Sequence, residues 1–312
     1  MKRLIFIVCT FAILLGQNIV FPVTADAASI KSLDTGTMVG MTQAALIKKY
    51  GNPVRKEPSE YGFTWFVYNR DYANFFMVGV RNAKVVAVYT SAKVMTYRGQ
   101  FKLNSTKTAV RAKLGKPVSY VQSGNTVCVL NNRDQRDYFV SGSNYIIVFY
   151  DNIKGGKATS ILIVPQADQD RVLLTHPALA AGVQEAYERI SVDLINAARV
   201  RGGLKKLATD KLNTKLAESR SLDMRERDYF SHYTPAPENM SPFTQAKKMG
   251  IKYSSMGENI AFGDSNAIFA HEAFMNSSGH RNNVLKSVYT KVGAGVASGG
   301  SRYVLLTNIF TR

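Results

Sequence analysis

What this sequence holds little of narrows it first. Its 312 residues include two cysteines, one tryptophan, four histidines and nine prolines, and 22 acids stand against 40 Lys and Arg. Cys9 lies in the opening apolar run, so a processed chain keeps Cys128 alone and forms no internal disulfide. Many small secreted domains depend on disulfides. This chain must be held by its core, and about 285 residues suffice for two domains of ordinary size. No apolar run after the leader reaches the roughly 20 residues that span a bilayer. No DNA- or RNA-binding motif is visible and the basic residues are dispersed, so no nucleic-acid partner is expected.

The leader itself is well formed. Lys2-Arg3, an apolar run from Leu4 to Leu15 and Ala25-Asp26-Ala27 predict a secretory signal peptide over residues 1–27, cleaved after Ala27. A retained anchor is the alternative, since Ile19–Val23 extends the run; Cys9 inside the run, rather than at its end, argues against a lipoprotein. Charge is uneven beyond it: residues 28–165 hold 19 basic and 7 acidic side chains, residues 166–312 hold 19 and 14. Outside a cell such a basic surface meets anionic wall polymer, lipid headgroups or released nucleic acid. Anionic cell-wall or envelope polymer is the expected partner, against the plainer reading of a merely soluble basic surface.

The front half repeats itself. Gly40-Met41-Thr42, Leu46 and Tyr50-Gly51-Asn52-Pro53 answer Asn104-Ser105-Thr106, Val110 and Leu114-Gly115-Lys116-Pro117 at an offset of 64. Further on, Asn74–Val78 answers Asn144–Val148 and Asn82-Ala83-Lys84 answers Asn152-Ile153-Lys154 at an offset of 70. Each copy reads as a Thr-capped helix closed by G-x-P, then three strands. These are Gly62–Tyr68, Asn74–Val80 and Lys84–Thr90 in the first copy, and Val127–Leu130, Asn144–Tyr150 and Thr159–Val164 in the second. Alternation puts Phe63, Trp65 and Val67 on one face, Phe66 and Tyr68 on the other; one face is core, and the other is core or a ligand platform. No metal set, carboxylate pair or nucleophile arrangement occurs here, so residues 30–165 read as a binding or spacer module.

Residues 166–182 read as a linker whose apolar Val172–Leu174 docks somewhere, with His176 as a surface histidine. From Val183 the spacing turns helical: Val183, Ala186-Tyr187, Ile190, Leu194-Ile195 and Ala198 form one buried stripe. A second helix opens at Asp210 and ends near Asp228. The stretch Gly257–Leu285 then gathers His271, His280, Glu258 and Glu272, with His232 just upstream. Its helix-start signal is Asp264–Ser265, before an apolar run. Scarce titratable residues collected between turn signals mark a site rather than a core.

IN-x-x-R at Ile195–Arg199, FSHYTP at Phe230–Pro235, GENIAFG at Gly257–Gly263 and MNSSGHRNNVL at Met275–Leu285 run in a distinctive order. VGAGVA at Val292–Ala297 and LLTNIF at Leu305–Phe310 complete it. On these motifs residues 183–312 resemble the CAP superfamily (cysteine-rich secretory proteins, antigen 5, pathogenesis-related 1) in its cysteine-poor bacterial form. The duplicated front half is similar to the module that precedes this domain in some Gram-positive secreted proteins. The resemblance implies an α+β chain whose second domain is an α-β-α sandwich with a cleft of two histidines and two acids. His232, Glu258 and His280 match three of these. The second acid usually lies three residues after a tryptophan, and here Phe274 and Ser277 hold those two positions. Glu272 is the nearest carboxylate, yet five helical residues place it about 140° around from Ser277. Asn308 stands where glutamine is common.

Three readings of the cleft stay open at this point. His232, His280 and Glu258 are good ligand types for zinc or a similar divalent ion, although spacings of 26 and 22 residues are unlike H-x-x-x-H. A hydrogen-bonded His–Glu–His network is the second reading. The third is catalysis through a metal-bound water, since Ser231, Ser265, Ser277 and Ser278 lack a nucleophile-elbow context and Cys128 belongs to the other domain. The expected function is a secreted, cell-envelope, non-enzymatic binding protein with an unknown ligand in the cleft; the alternative is a metal-dependent hydrolase of peptide or wall substrate. Lipid binding, with Phe262 and Phe269 as surface candidates, is a third possibility. Asn259 and Arg281 read as structural.

Overall fold

Two threonine-capped helices and the strands that follow them carry the duplication into three dimensions. The structure, a computed structural model, describes residues 30–130, 134–263 and 266–312. The signal-peptide expectation and the helix-start signal at Asp264–Ser265 therefore lie outside the described residues. In chain order the front half runs β1 (Leu33–Asp34), α1 (Gln43–Tyr50), β2 (Arg55–Pro58), β3 (Thr64–Tyr68), β4 (Phe76–Arg81), β5 (Lys84–Thr90), β6 (Met95–Tyr97) and β7 (Phe101–Lys102). It continues with α2 (Lys107–Leu114), β8 (Tyr120–Ser123), β9 (Thr126–Val129), β10 (Arg136–Ser141), β11 (Asn144–Asp151) and β12 (Lys157–Pro165). Thr42 and Thr106 accept from the amides of Ala45 and Ala109 at 3.2 Å each. Gly51 and Gly115 close the two helices at φ 76° and 86°, where a Cβ would be strained.

Seven antiparallel strands form one sheet in the order β10-β11-β12-β5-β4-β3-β2. The copies meet where β5 pairs with β12, Tyr89 opposite Leu162, and the registers fix the correspondence. Met77 faces Tyr89 and Ile147 faces Leu162, so Met77 matches Ile147 at the expected offset of 70 (77 to 147). Tyr89 matches Leu162 at 73 (89 to 162). The three added residues lie in the connecting turn. In the first copy Asn82-Ala83 alone joins Arg81 to Lys84, whereas the second inserts a 3-10 turn, Asn152–Lys154, and Gly155-Gly156 between Asp151 and Lys157.

One strand was misplaced by the sequence pattern. The second copy's first sheet strand is β10, where Tyr138 faces Ile147 as Val67 faces Met77. Val127–Leu130 instead enters the β8–β9 hairpin, which leaves Tyr120, Val127 and Val129 exposed. Alternating valines signal a strand, but not which strand it joins.

The second half contains α3 (Gln166–Thr175), α4 (Ala181–Arg201), β13 (Ala208–Thr209), α5 (Lys211–Glu226), α6 (Pro242–Lys248) and β14 (Met256–Phe262). It ends with α7 (Ala267–Met275), α8 (Ser278–Leu285), β15 (Lys291–Ser298) and β16 (Val304–Thr311). A four-stranded sheet, β13-β15-β16-β14, lies between α5 on one side and α4, α7 and α8 on the other. Val292 and Ala294 pack toward Val192 and Ile195 of α4 and Val284 of α8. The alternating Gly293 and Gly295 face α5. This is the expected α-β-α sandwich, and the whole chain is α+β.

The stretch expected as a linker does more than connect. Its first ten residues are α3, with Val172 buried and Gln169 accepting from the Tyr61 hydroxyl at 2.7 Å. His176 ends that helix at φ 43° and stacks on Tyr303 at 4.0 Å.

Both faces of the front sheet are core, as alternation assigned them. Phe66, Phe76, Val148 and Ile161 pack under Leu46 and Val110 of α1 and α2. Trp65, Phe75, Tyr89 and Phe149 pack against Tyr187, Ile190 and Leu194 of α4 and Phe269 of α7. The aromatic face is therefore no ligand platform. It is the floor of the second domain, and each large side chain buried there contributes about 1.5–3 kcal/mol. Polar pairs cross the same seam: Arg189 forks onto Glu57 at 2.8 Å twice, and Arg55, Asn69 and Tyr72 converge on Asp193.

Glu60 lies in this seam and accepts from Asn266 Nδ2 at 2.7 Å. Burial pushes its carboxyl up to about 7, with hydrogen bonds from Asn266 and Tyr187 offsetting part of the rise. A carboxyl raised in the folded state stabilises fully below its unfolded value and loses that contribution as pH climbs through the folded one. Between pH 4.5 and 7 the loss is on the order of 3 kcal/mol. The melting temperature of Glu60→Gln relative to that of the wild type should rise from pH 5 to pH 8, because the variant lacks the contribution that the wild type loses over that range. An unchanged slope in the variant would refute the assignment.

Candidate functional site

Three separate elements deliver the cleft. Glu258 sits in the middle of β14, opposite Ile309 of β16; His232 is in the loop that follows α5; His280 is in the first turn of α8. His232 Nδ1 lies 2.7 Å from Glu258 Oε1. A carboxylate only accepts, so the imidazole proton sits on Nδ1 and Nε2 is left free for the cleft. His232 is half-exposed while the Glu258 side chain is buried.

The other carboxylate oxygen is not free. Arg220 Nε of α5 donates to Glu258 Oε2 at 3.0 Å, and the Arg220 side chain is wholly buried. The same guanidinium donates to the Ser231 carbonyl at 2.8 Å and to Tyr229 Oη at 3.1 Å. Arg220 therefore neutralises Glu258 and also holds the backbone beside His232. Sequence reasoning missed it. The available signal was a charged residue on the inward stripe Leu216–Arg220–Met224, where only a partnered charge can lie.

His280 is set from both sides. Its ring meets Phe274 edge-on at 5.0 Å, so the phenylalanine in the tryptophan position serves as its wall. Its carbonyl accepts from Asn259 Nδ2 at 3.0 Å, and Asn283 Nδ2 donates to Asn259 Oδ1 at 2.9 Å and to the Glu258 carbonyl at 3.2 Å. Asn259 thus ties β14 to α8 rather than closing a turn. Burial, then the neighbouring His232, lowers the His280 pKa, which favours the neutral imidazole at neutral pH.

Among the described residues no acid fills the fourth corner. Glu272 points away from the cleft into the seam, where Tyr89, Thr159 and Ser160 of the front half donate to it at 3.1, 3.3 and 2.5 Å. It does not replace the missing acid, because the angle along α7 sends it to the opposite side. His271 is buried as well, and burial lowers its pKa to about 3. Ser277 caps α8 without a side-chain hydrogen bond. Ser231 Oγ accepts from the Tyr233 amide at 3.0 Å, a turn contact rather than a nucleophile's. Cys128 lies in the β8–β9 hairpin, where burial raises its thiol pKa. Asn308 is buried and donates to Ser191 Oγ at 2.9 Å. Phe262 is exposed on the rim, its ring 4.5 Å from Phe230; Phe269 is buried against Phe149 and leaves the list of surface candidates.

These residues do not fit a divalent ion. Both Glu258 oxygens are engaged, one by a guanidinium whose charge would repel the metal. That leaves two imidazoles, and among the described residues no group of three or more His, Cys, Asp or Glu converges to hold an ion. Catalytic zinc sites use three protein ligands.

Residues 192–311 match the family model for the cysteine-rich secretory protein family, and residues 39–172 match that of the CAP-associated N-terminal domain. The chain is a CAP-domain protein with a CAP-associated N-terminal domain. The uncharacterised membrane protein YlbC of Bacillus subtilis is 28% identical over 279 residues, spanning 83% of this chain and 80% of its own. YkwD of the same organism is 42% identical over 116 residues, which is 37% of this chain and 44% of that protein. Among solved structures, an extracellular SCP-domain protein from Bacillus anthracis superposes with a TM-score of 0.76 at 24% identity, covering 90% of this chain and 96% of that one. A cysteine-rich secretory protein from Staphylococcus aureus gives 0.70 at 18%, covering 89% and 95%. At these identities the structures share the fold. Among the described residues of the CAP-domain protein no helix is long and apolar enough to cross a membrane.

Proposed function

We propose that this CAP-domain protein works outside the cell, at the envelope, as a non-enzymatic binding protein whose cleft takes a ligand on His232 Nε2 and the neutral His280. The carrying observation is that Glu258, the one carboxylate of the cleft among the described residues, is spent on Arg220 and His232. A general base or a metal-bound water would need that carboxylate free. The rim is apolar, with Phe230 and Phe262 in ring contact and Tyr233 exposed, so a ligand with a hydrogen-bonding head and an apolar flank suits it. The basic front half supports attraction to anionic wall polymer, and the B. anthracis neighbour is described as extracellular. The metal-dependent hydrolase is disfavoured for want of a third ligand.

Because the halves share one core, the whole chain is the unit to test. It should co-sediment with isolated anionic wall polymer at low salt and come off as salt shortens the screening length to about 8 Å, with no turnover of peptide or wall substrates. No sedimentation at low salt would remove the envelope half of the proposal. Hydrolysis that disappears in folded His232→Ala and His280→Ala would replace binding with catalysis.

A further inference from the structure

The turn by which the second repeat departs from the first lies against the helix that carries His280. Asp151, the last residue of β11, receives a two-pronged salt bridge from Arg281, Nη1 to Oδ1 at 2.9 Å and Nη2 to Oδ2 at 2.8 Å. The two side chains are only 13% and 12% exposed. Arg281 Nη1 also donates to the Met275 carbonyl at 2.9 Å, which closes the α7–α8 corner on itself. Asn276, in that corner, accepts from the Asn152 amide at 2.8 Å and donates to the Tyr150 carbonyl at 2.9 Å. Asp151 Oδ1 in turn accepts from the Lys154 amide at 2.9 Å and so caps the 3-10 turn that the first repeat lacks. At the matching place in the first repeat stands Arg81, of opposite charge, paired with Asp168 of α3.

We propose that Asp151, Arg281 and Asn276 are positioning residues of the cleft, and that the lengthened turn of the second repeat is the device by which the front domain sets His280. Arg281 follows His280 directly, so its anchor acts on the same helical turn. On the cleft side Asn259 and Asn283 hold that turn to β14; on the far side the clasp to Asp151 and the Asn276 bonds oppose them, while Val284, one turn on, packs against α4. His280 is therefore fixed between the strand that carries Glu258 and a strand of the other domain. Small displacements of a binding group cost much of its contribution, so a change in the front domain at this turn would be felt in the cleft. Here the front domain is part of the site's frame, beyond any part in envelope attachment. The inference rests on the cleft reading above, yet its readout needs no ligand, so the two can fail separately.

The test is a pH titration of the four histidine rings by NMR in the full-length chain. In Asp151→Asn and Arg281→Gln the His280 midpoint should shift by about half a pH unit and its ring resonances should move, while His232, held by Glu258, stays nearly in place. Glu57→Gln, which breaks the Arg189 pair elsewhere in the same seam, should lower the melting temperature without moving His280. If Arg281→Gln does not fold, Asp151→Asn and Asn276→Ala carry the comparison. His280 unmoved in the folded variants, or moved equally by Glu57→Gln, would overturn the proposal and leave the clasp as ordinary interface.

Discussion

Arg220→Met should destabilise the protein by about 3–5 kcal/mol, because it strands a buried carboxylate. Glu258 would keep only His232 as a partner, and Ser231 and Tyr229 would lose their donor. The loop bearing His232 should loosen as well, so the variant should lose cleft binding even where it still folds. Urea unfolding of wild type and variant measures the first effect. The double variant Arg220→Met/Glu258→Gln separates the causes: removing the charge along with its partner should recover much of the lost stability, though not the geometry of His232. Should Arg220→Met unfold within about 1 kcal/mol of wild type, Arg220 does not hold Glu258 in place, and the carboxylate is freer in the cleft than the ion pair implies.

Gly295→Ala should be nearly as damaging, by about 3 kcal/mol or more, at or beyond the upper end of overpacking costs. A Cβ there would lie 2.0 Å from the Glu218 amide nitrogen, and one on Gly293 would lie 2.2 Å from that of Thr214. Both obstacles are backbone of α5, so no side chain can rotate aside; the helix itself must lift from the sheet. Since α5 carries Arg220, the same lift should pull the guanidinium away from Glu258. Thermal melting and near-ultraviolet dichroism would register it. Gly279→Ala is the control, because a Cβ there meets nothing within 4 Å on a helix and should be neutral or mildly stabilising. Equal behaviour of the two variants would sink the close-packing account of the VGAGVA motif.

Much of this fold was legible in residues alone. Thr42 and Thr106 signalled two helix starts because a hydroxyl can accept an amide that the first turn leaves unpaired. The offset of 70 located β4 and β11 because repeated strands keep their register. His232, Glu258 and His280 were picked out by motif; in the structure His232 lies 2.7 Å from Glu258 and close enough to His280 to lower its pKa. What failed did so for a shared reason. Val127–Leu130 reads like a strand of the sheet and is a separate hairpin, because alternation states a face and not a partner. Glu272 is near Ser277 in the chain and turned away from it in space, because α7 presents its two sides to two domains.

By itself the sequence determined the local and periodic features: the caps, the duplication, the alternation of the front strands, the helical stripe of α4 and the residue types of the cleft. Each follows from contacts within a few residues or from a period that repeats. Only the tertiary structure decided that Arg220 neutralises Glu258, that the aromatic face of the front sheet is the floor of the CAP domain, and that Asp151 reaches Arg281. The two ion pairs join residues 38 and 130 positions apart. Burial makes them strong, and no local pattern reports which buried groups will meet.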